Sequence, residues 1–187
     1  MTISYWLDSA DCIVAVNAAW DTFARANSGE GVLAESVIGQ PIRRFIADAT
    51  TANICHRLFQ RARACGGPVT ITFRCDAPGE RRLFEMTLRS TPERILAVTT
   101  RAIEVRPRAP LAVLSATAPR REEWVRMCGW CHRVEDGESG WMELEHAVER
   151  LAIFHHDVPP RVTHAVCPAC LACLQAELDG TTGHAGP

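Results

Sequence analysis

The sequence predicts an α+β fold: a five-stranded antiparallel sheet with helices on one face, followed by a small helical unit rich in cysteine. Three observations carry this expectation. The first half orders its β-prone and amphipathic runs as strand, strand, helices, then three strands. Hydrophobic residues make up 47% of 187 residues, enough for a real core. The nine cysteines are uneven, scattered singly at Cys12, Cys55, Cys65 and Cys75 and then concentrated as Cys128, Cys131, Cys167, Cys170 and Cys173.

The elements follow in order. "SYWLD" and "IVAVN" are short β-prone runs on either side of the turn-like "SADC", so they read as a hairpin. "AAWDTFARAN" places Trp20, Phe23 and Ala24 at helical spacing. "SGEGVLAESVIGQPIRRFI" reads as loop with short helical turns. "DATTANICHRLFQRARACGG" reads as a longer helix, with Asp48 or Thr50 as N-cap and the Gly66-Gly67 pair as its stop. "PVTITFRCD", "RRLFEMTLRS" and "RILAVTTRAIEV" are three strands joined by "APGE" and "TPE".

Next comes "RPRAPLAVLSATAPR", whose Pro107, Pro110 and Pro119 disfavour regular structure, although "LAVL" can add a short strand. The expected division is a domain at residues 1–107, a linker at 108–120, a cysteine unit at 121–178 and a disordered tail at 179–187. The start, "MTISYWLDSADCIVAV", has no basic stretch ahead of a long apolar run, and no later window approaches a membrane span. A cytoplasmic protein with no membrane partner is therefore expected. In that compartment thiols stay reduced, so the cysteines point to metal binding or redox sensing over a disulfide framework. Formal net charge is only -2, and all basic residues are arginine.

The element order, together with "DCIVAVN", "AAW" and "VIGQP", resembles the PAS sensor fold over roughly residues 1–107. The resemblance implies a pocket-containing sensor or dimerisation domain, and hence a homodimer, but it names no ligand. "NICHRLFQ" superficially resembles the N-C-R-F-L-Q motif of flavin photosensors. There the cysteine follows the I-G turn by three residues, a slot held here by Ile42, so flavin–thiol chemistry is not expected. Two further readings stay open. His56 lies on the helix from which haem-binding PAS domains offer an axial ligand. Cys55, with Cys65 and Cys75, lies among arginines that would favour thiolates, so a haem- or thiol-based redox sensor using Cys55 or His56 is the alternative function.

The C-terminal spacing is more specific. "CGWCHRV" fits both half of a zinc site and a c-type haem attachment sequence. Covalent haem requires export and leaves Cys167 and Cys170 unexplained, whereas C-x2-C-x35-C-x2-C supplies four thiolates for one tetrahedral zinc. One structural zinc per chain is expected on Cys128, Cys131, Cys167 and Cys170, with Cys173 as a substitute ligand. The insert is long for such a site, but doubling a loop adds only about 0.6 kcal/mol of closure entropy. Within it, "WMELEHAVERLAIF" puts Trp141, Leu144, Val148, Leu151 and Ala152 on one helical stripe, and His146 falls on its solvated face.

"CGWCHRV", "GWMELE" and "THAVCPACL" are similar to a small cysteine-pair module of bacterial PAS-containing signalling proteins, over Cys128 to Leu171. His132 stands where that pattern commonly has lysine, and Thr163 where it has serine. The resemblance carries over the paired cysteines and His164, for which a supporting hydrogen bond to a thiolate, or a place as alternative ligand, is expected.

Between residues 128 and 178 eight acids face only three arginines, a surface that repels phosphates. The positive residues cluster in the linker and its flanks, read as a solvated connector. Nucleic acid is thus an unexpected partner, and a protein partner at the zinc module is preferred. There is no nucleophile motif and no phosphate-cradling glycine loop, so no enzyme is expected. The function these features suggest is a sensor or adaptor in signal transduction, with the zinc module presenting a protein-interaction surface.

Overall fold

The computed structural model describes residues 1–46, 48–138 and 140–180. Its first strands, β1 (Thr2–Leu7) and β2 (Ile13–Val16), form the hairpin, and α1 (Ala19–Ala26) and the single turn α2 (Ala34–Val37) follow. Helix α3 (Ala49–Ala64) starts at Asp48, whose carboxylate accepts from the N–H groups of Thr50 and Thr51 at 2.9 Å. It stops where Gly66 takes φ 68°, a left-handed turn open to glycine. Strands β3 (Val69–Arg74), β4 (Glu80–Ser90) and β5 (Leu96–Pro107) complete an antiparallel sheet ordered β2-β1-β5-β4-β3. The order of elements is the one the sequence implied.

Period-two alternation decides which face of this sheet is buried. Leu7, Ile71, Leu88, Leu96 and Val98 are essentially inaccessible, and Ile54, Leu58, Phe59 and Ala62 of α3 close over them. β3 is an edge strand. That edge is where the rest of the chain docks.

The C-terminal unit is less purely helical than expected. β6 (Trp124–Cys128), β7 (Val134–Glu135) and β8 (Trp141–Met142) precede α4 (Leu144–Arg150), and β9 (Arg161–Ala165) precedes α5 (Pro168–Asp179). The four strands form a sheet ordered β8-β7-β6-β9, in which β6 and β9 run parallel. The single stripe expected over residues 141–154 is broken. Trp141 lies in β8 and packs on the first core, whereas Leu144, Val148 and Leu151 pack on a second core with Val125, Met127 and Val134. Two short strands between the cysteine pairs compete with helix because β7 finds a neighbour in β6 and β8 one in β7.

Residues 108–120, expected as a solvated linker, are packed instead. Val113 is only 4% exposed and belongs to the second core. Arg120 donates to the carbonyls of Val113, Ser115 and Pro160, binding the segment to the sheet. The tail expected from residue 179 begins later, since α5 runs through Asp179 to a left-handed Gly180, and residues 181–187 lie outside the described residues. Among the described residues, no helix is long and apolar enough to cross a membrane.

Candidate metal centre

Two turns bring the cysteine pairs together. The first follows β6: Cys128 N–H donates to Arg133 O at 2.7 Å and His132 N–H to Cys128 O at 2.9 Å, which closes a tight loop around Gly129 to Cys131. Closing it places His132 at φ 59°, left-handed backbone that a lysine or histidine adopts only when its surroundings hold it. The second turn is the start of α5. Cys167 is its N-cap, with its sulfur accepting from Cys170 N–H at 3.5 Å, and Pro168 occupies the first turn. Gly129 N–H donates to Ala165 O at 2.8 Å and Cys167 N–H to Cys128 Sγ at 3.4 Å, joining the two turns.

The result is a buried cluster. Cys128, Cys131, Cys167 and Cys170 are all buried, and their sulfurs lie within 4.8 Å of one another. Cys131 and Cys167 sulfurs are 3.7 Å apart, far beyond a disulfide and close to the roughly 3.8 Å edge of a tetrahedron with metal–sulfur bonds of about 2.3 Å. Four thiols so close cannot all ionise against one another. Hydrogen bonds from Cys131 and Cys170 hold Cys128 well below the usual thiol range, whereas Cys131, hydrogen-bonded to that Cys128 sulfur, is pushed up. Cys170 is driven up by the same two neighbours. A divalent cation resolves the conflict by favouring every thiolate at once, and the N-terminus of α5 adds its partial positive charge. This donor set can hold a metal ion and is compatible with zinc.

The other expected site residues fall outside the cluster. Cys173 is only partly buried and separate from the four sulfurs. His164 makes no hydrogen bond to a sulfur among the described residues. Register explains this, since Met127 pairs with His164 and Cys128 with Ala165, so alternation turns the imidazole to the opposite face from Cys128. The backbone N–H groups of Cys167 and Cys170 supply the sulfur hydrogen bonds instead. His164 itself is shifted to lower pKa by partial burial of its ring and then by nearby His132.

Neither Cys55 nor His56 is arranged as the redox reading requires. Burial, then the nearby Asp48 carboxylate, pushes the Cys55 thiol up to about 12. The His56 side chain is 53% exposed, and its ring nitrogens are already engaged by Asp11 at 2.8 Å and Gln60 at 2.9 Å. All nine cysteines are free thiols.

Sequence reasoning missed what joins the two halves. Trp130, inside the first cysteine pair, is 5% exposed and caps the β3 edge: its carbonyl accepts from Arg74 N–H at 2.8 Å and its indole N–H donates to Thr72 O at 3.0 Å. Beside it lies a buried ion network. Arg74 reaches Asp76, Glu143 at 3.1 Å and Glu145 at 3.2 Å, and Arg108 reaches Asp76 at 3.1 Å and Glu145 at 2.5 Å. Burial alone would raise the Asp76 carboxyl, but contacts with His132, Arg74 and the Arg82 N–H hold it well below the usual carboxylate range. A strand ending in the charged run "RCD" was the available signal, because charge at an inward-facing position needs a partner.

A second feature is an apolar pocket of about 300 Å3 between α1 and the sheet. Tyr5, Trp20, Phe23, Phe73 and Phe84 line it, and Arg82 lies over the Phe23 and Phe84 rings. The Phe73 ring also packs against Trp130, with centroids 6.3 Å apart.

No protein-family model and no curated protein matches the sequence. Among solved structures the chain is similar to a sensory box sensor histidine kinase from Vibrio cholerae, at 11% identity and TM-score 0.42, covering 56% of this chain and 83% of that one. It is also similar to a domain of an HTR-like protein from Haloarcula marismortui, at 18% identity and TM-score 0.40, covering 55% and 98%. A third is the PAS domain of nitrogen regulation protein NR(II) from Vibrio parahaemolyticus, at 18% identity and TM-score 0.36, covering 55% and 89%. At these values the likeness says nothing of ligand or activity.

Proposed function

We propose that this chain is a cytoplasmic signal-transduction sensor or adaptor: a PAS-like domain that takes a small ligand or dimerises, coupled to a structural zinc module that presents a protein-binding surface. The observation that carries the reading is the shared wall. Trp130 sits between two zinc-ligand candidates and touches Phe73, which lines the apolar pocket. A change in the pocket therefore meets the metal turn within one side chain.

Cys128, Cys131, Cys167 and Cys170 would hold zinc, which supplies a rigid crosslink and, with four thiolates, no open position for substrate or water. The role is accordingly structural and not catalytic. Structural zinc contributes roughly 10–16 kcal/mol in small modules, so the ion would account for much of the stability of the C-terminal unit. Nine free thiols support a reducing compartment. Exposed Ile103 and Val105, at 41% and 49% near the end of β5, offer apolar surface for self-association.

Native mass spectrometry tests both parts by counting metal and subunits in one spectrum. One zinc per chain in a dimer is expected. A folded chain purified without zinc refutes the metal part of the reading, and a monomer at tens of micromolar refutes dimerisation and leaves only the ligand-binding form of it.

A further inference from the structure

Beside the cysteine turn and apart from the aromatic pocket, a cleft of about 490 Å3 opens between the β6–β9 strands and residues 113–116. Its floor is apolar, formed by Val113, Met127 and Val162. The rim carries positive charge. Arg161 lies 5.5 Å from the centre of the Trp124 ring, and Trp124 is 57% exposed. Arg120 also faces the cleft, His132 and His164 close its other end, and no carboxylate lines it among the described residues.

Elsewhere in the chain several arginines meet an acid. Arg63 meets Asp11 at 2.7 Å, Arg101 meets Glu85 at 2.8 Å and Arg126 meets Glu135 at 2.8 Å. Arg120 has only the three backbone carbonyls that fix it, and Arg161 forms no ion pair among the described residues. Arg161 is exposed at the rim, where its guanidinium can exchange water for an anion held by charge-assisted hydrogen bonds. An open indole beside an arginine also favours a flat ring.

We propose that this cleft binds a small organic anion with a planar apolar body, of the aryl-carboxylate class. The free Arg161 fork takes the carboxylate, and Arg120, with its terminal nitrogens held by carbonyls, supplies fixed positive potential. The ring lies over Met127 and Val162 against Trp124. This cleft is distinct from the pocket under α1, and its Met127 and His132 adjoin Cys128 and Cys131 of the sulfur cluster.

Calorimetry on the full zinc-loaded chain, with 2-naphthoate as probe and neutral 2-naphthamide as its control, tests the assignment. Naphthoate should bind at least about tenfold tighter than the amide, since a charge-assisted hydrogen bond exceeds a neutral one by this order. Arg161→Gln should erase that preference, and Trp124→Phe should remove the fluorescence quenching that naphthoate causes. Arg120→Gln can loosen residues 113–116, so the exposed Arg161 is the deciding position. Absence of naphthoate binding at millimolar concentration, equal affinity for acid and amide, or a preference that survives in Arg161→Gln would each overturn the proposal.

Discussion

Trp130 is the place to strike if the two halves form one cooperative unit. Trp130→Ala removes a side chain that is 5% exposed. A buried tryptophan hides about 150–250 Å2, which at roughly 25 cal/mol per Å2 is about 4–6 kcal/mol. An extended-chain reference overstates that figure, and large-to-small substitutions at such positions cost about 3–5 kcal/mol. Trp130→Phe keeps most of the ring area and the backbone bond to Arg74, but leaves the Thr72 carbonyl without its indole donor. Its loss should be about 1–2 kcal/mol. Denaturant unfolding in the presence of zinc, followed by far-UV circular dichroism, should show one transition in the native chain, because a single hydrophobic cluster spans the sheet, α3 and the cysteines. In the alanine variant the C-terminal unit should separate as an earlier transition while the five-stranded half persists. A loss below about 1 kcal/mol for Trp130→Ala, or equal losses for both variants, would refute the docking argument.

Elemental analysis should find bound zinc falling from one equivalent towards none in Cys128→Ser or Cys170→Ser, and unchanged in Cys173→Ser, which lies outside the sulfur cluster. Because the folded carboxyl of Asp76 is depressed, its stabilisation is intact well above the unfolded value of roughly 3.9 and drains away as pH falls through and below it. The destabilisation of Asp76→Asn measured by urea titration should therefore be large at neutral pH and shrink in acid; a pH-independent penalty would contradict the assignment. At pH 8 a thiol near 12 is ionised in about one molecule in ten thousand, so iodoacetamide should modify exposed Cys65 well before Cys55, as peptide mass mapping will report. Rapid labelling of Cys55 would revive the thiol-sensor reading.

The element order of residues 1–107 could be read directly because each piece is local: alternation marks Val69–Arg74, and Asp48 and Gly66 bracket a helix by their own capping chemistry. The four-cysteine cluster was equally legible, since two C-x2-C turns carry their ligand spacing wherever the chain takes them. His164 was misplaced because its neighbours in sequence do not reveal strand register, and a pairing of Met127 with His164 turns it away from Cys128. The linker looked solvated for a similar reason. Proline-rich sequence reports the want of local regularity, not whether Val113 finds a distant core or Arg108 a buried carboxylate. Trp130 shows the limit most plainly. Its letter between two cysteines says only that a large ring is present, whereas the unpaired carbonyl and N–H that receive it belong to a sheet edge nearly sixty positions away. Local chemistry thus determined the strands, caps and sulfur pairs. Only the tertiary structure, by burying one half against an open edge of the other, decided that the five-stranded sheet and the cysteine turn share a wall.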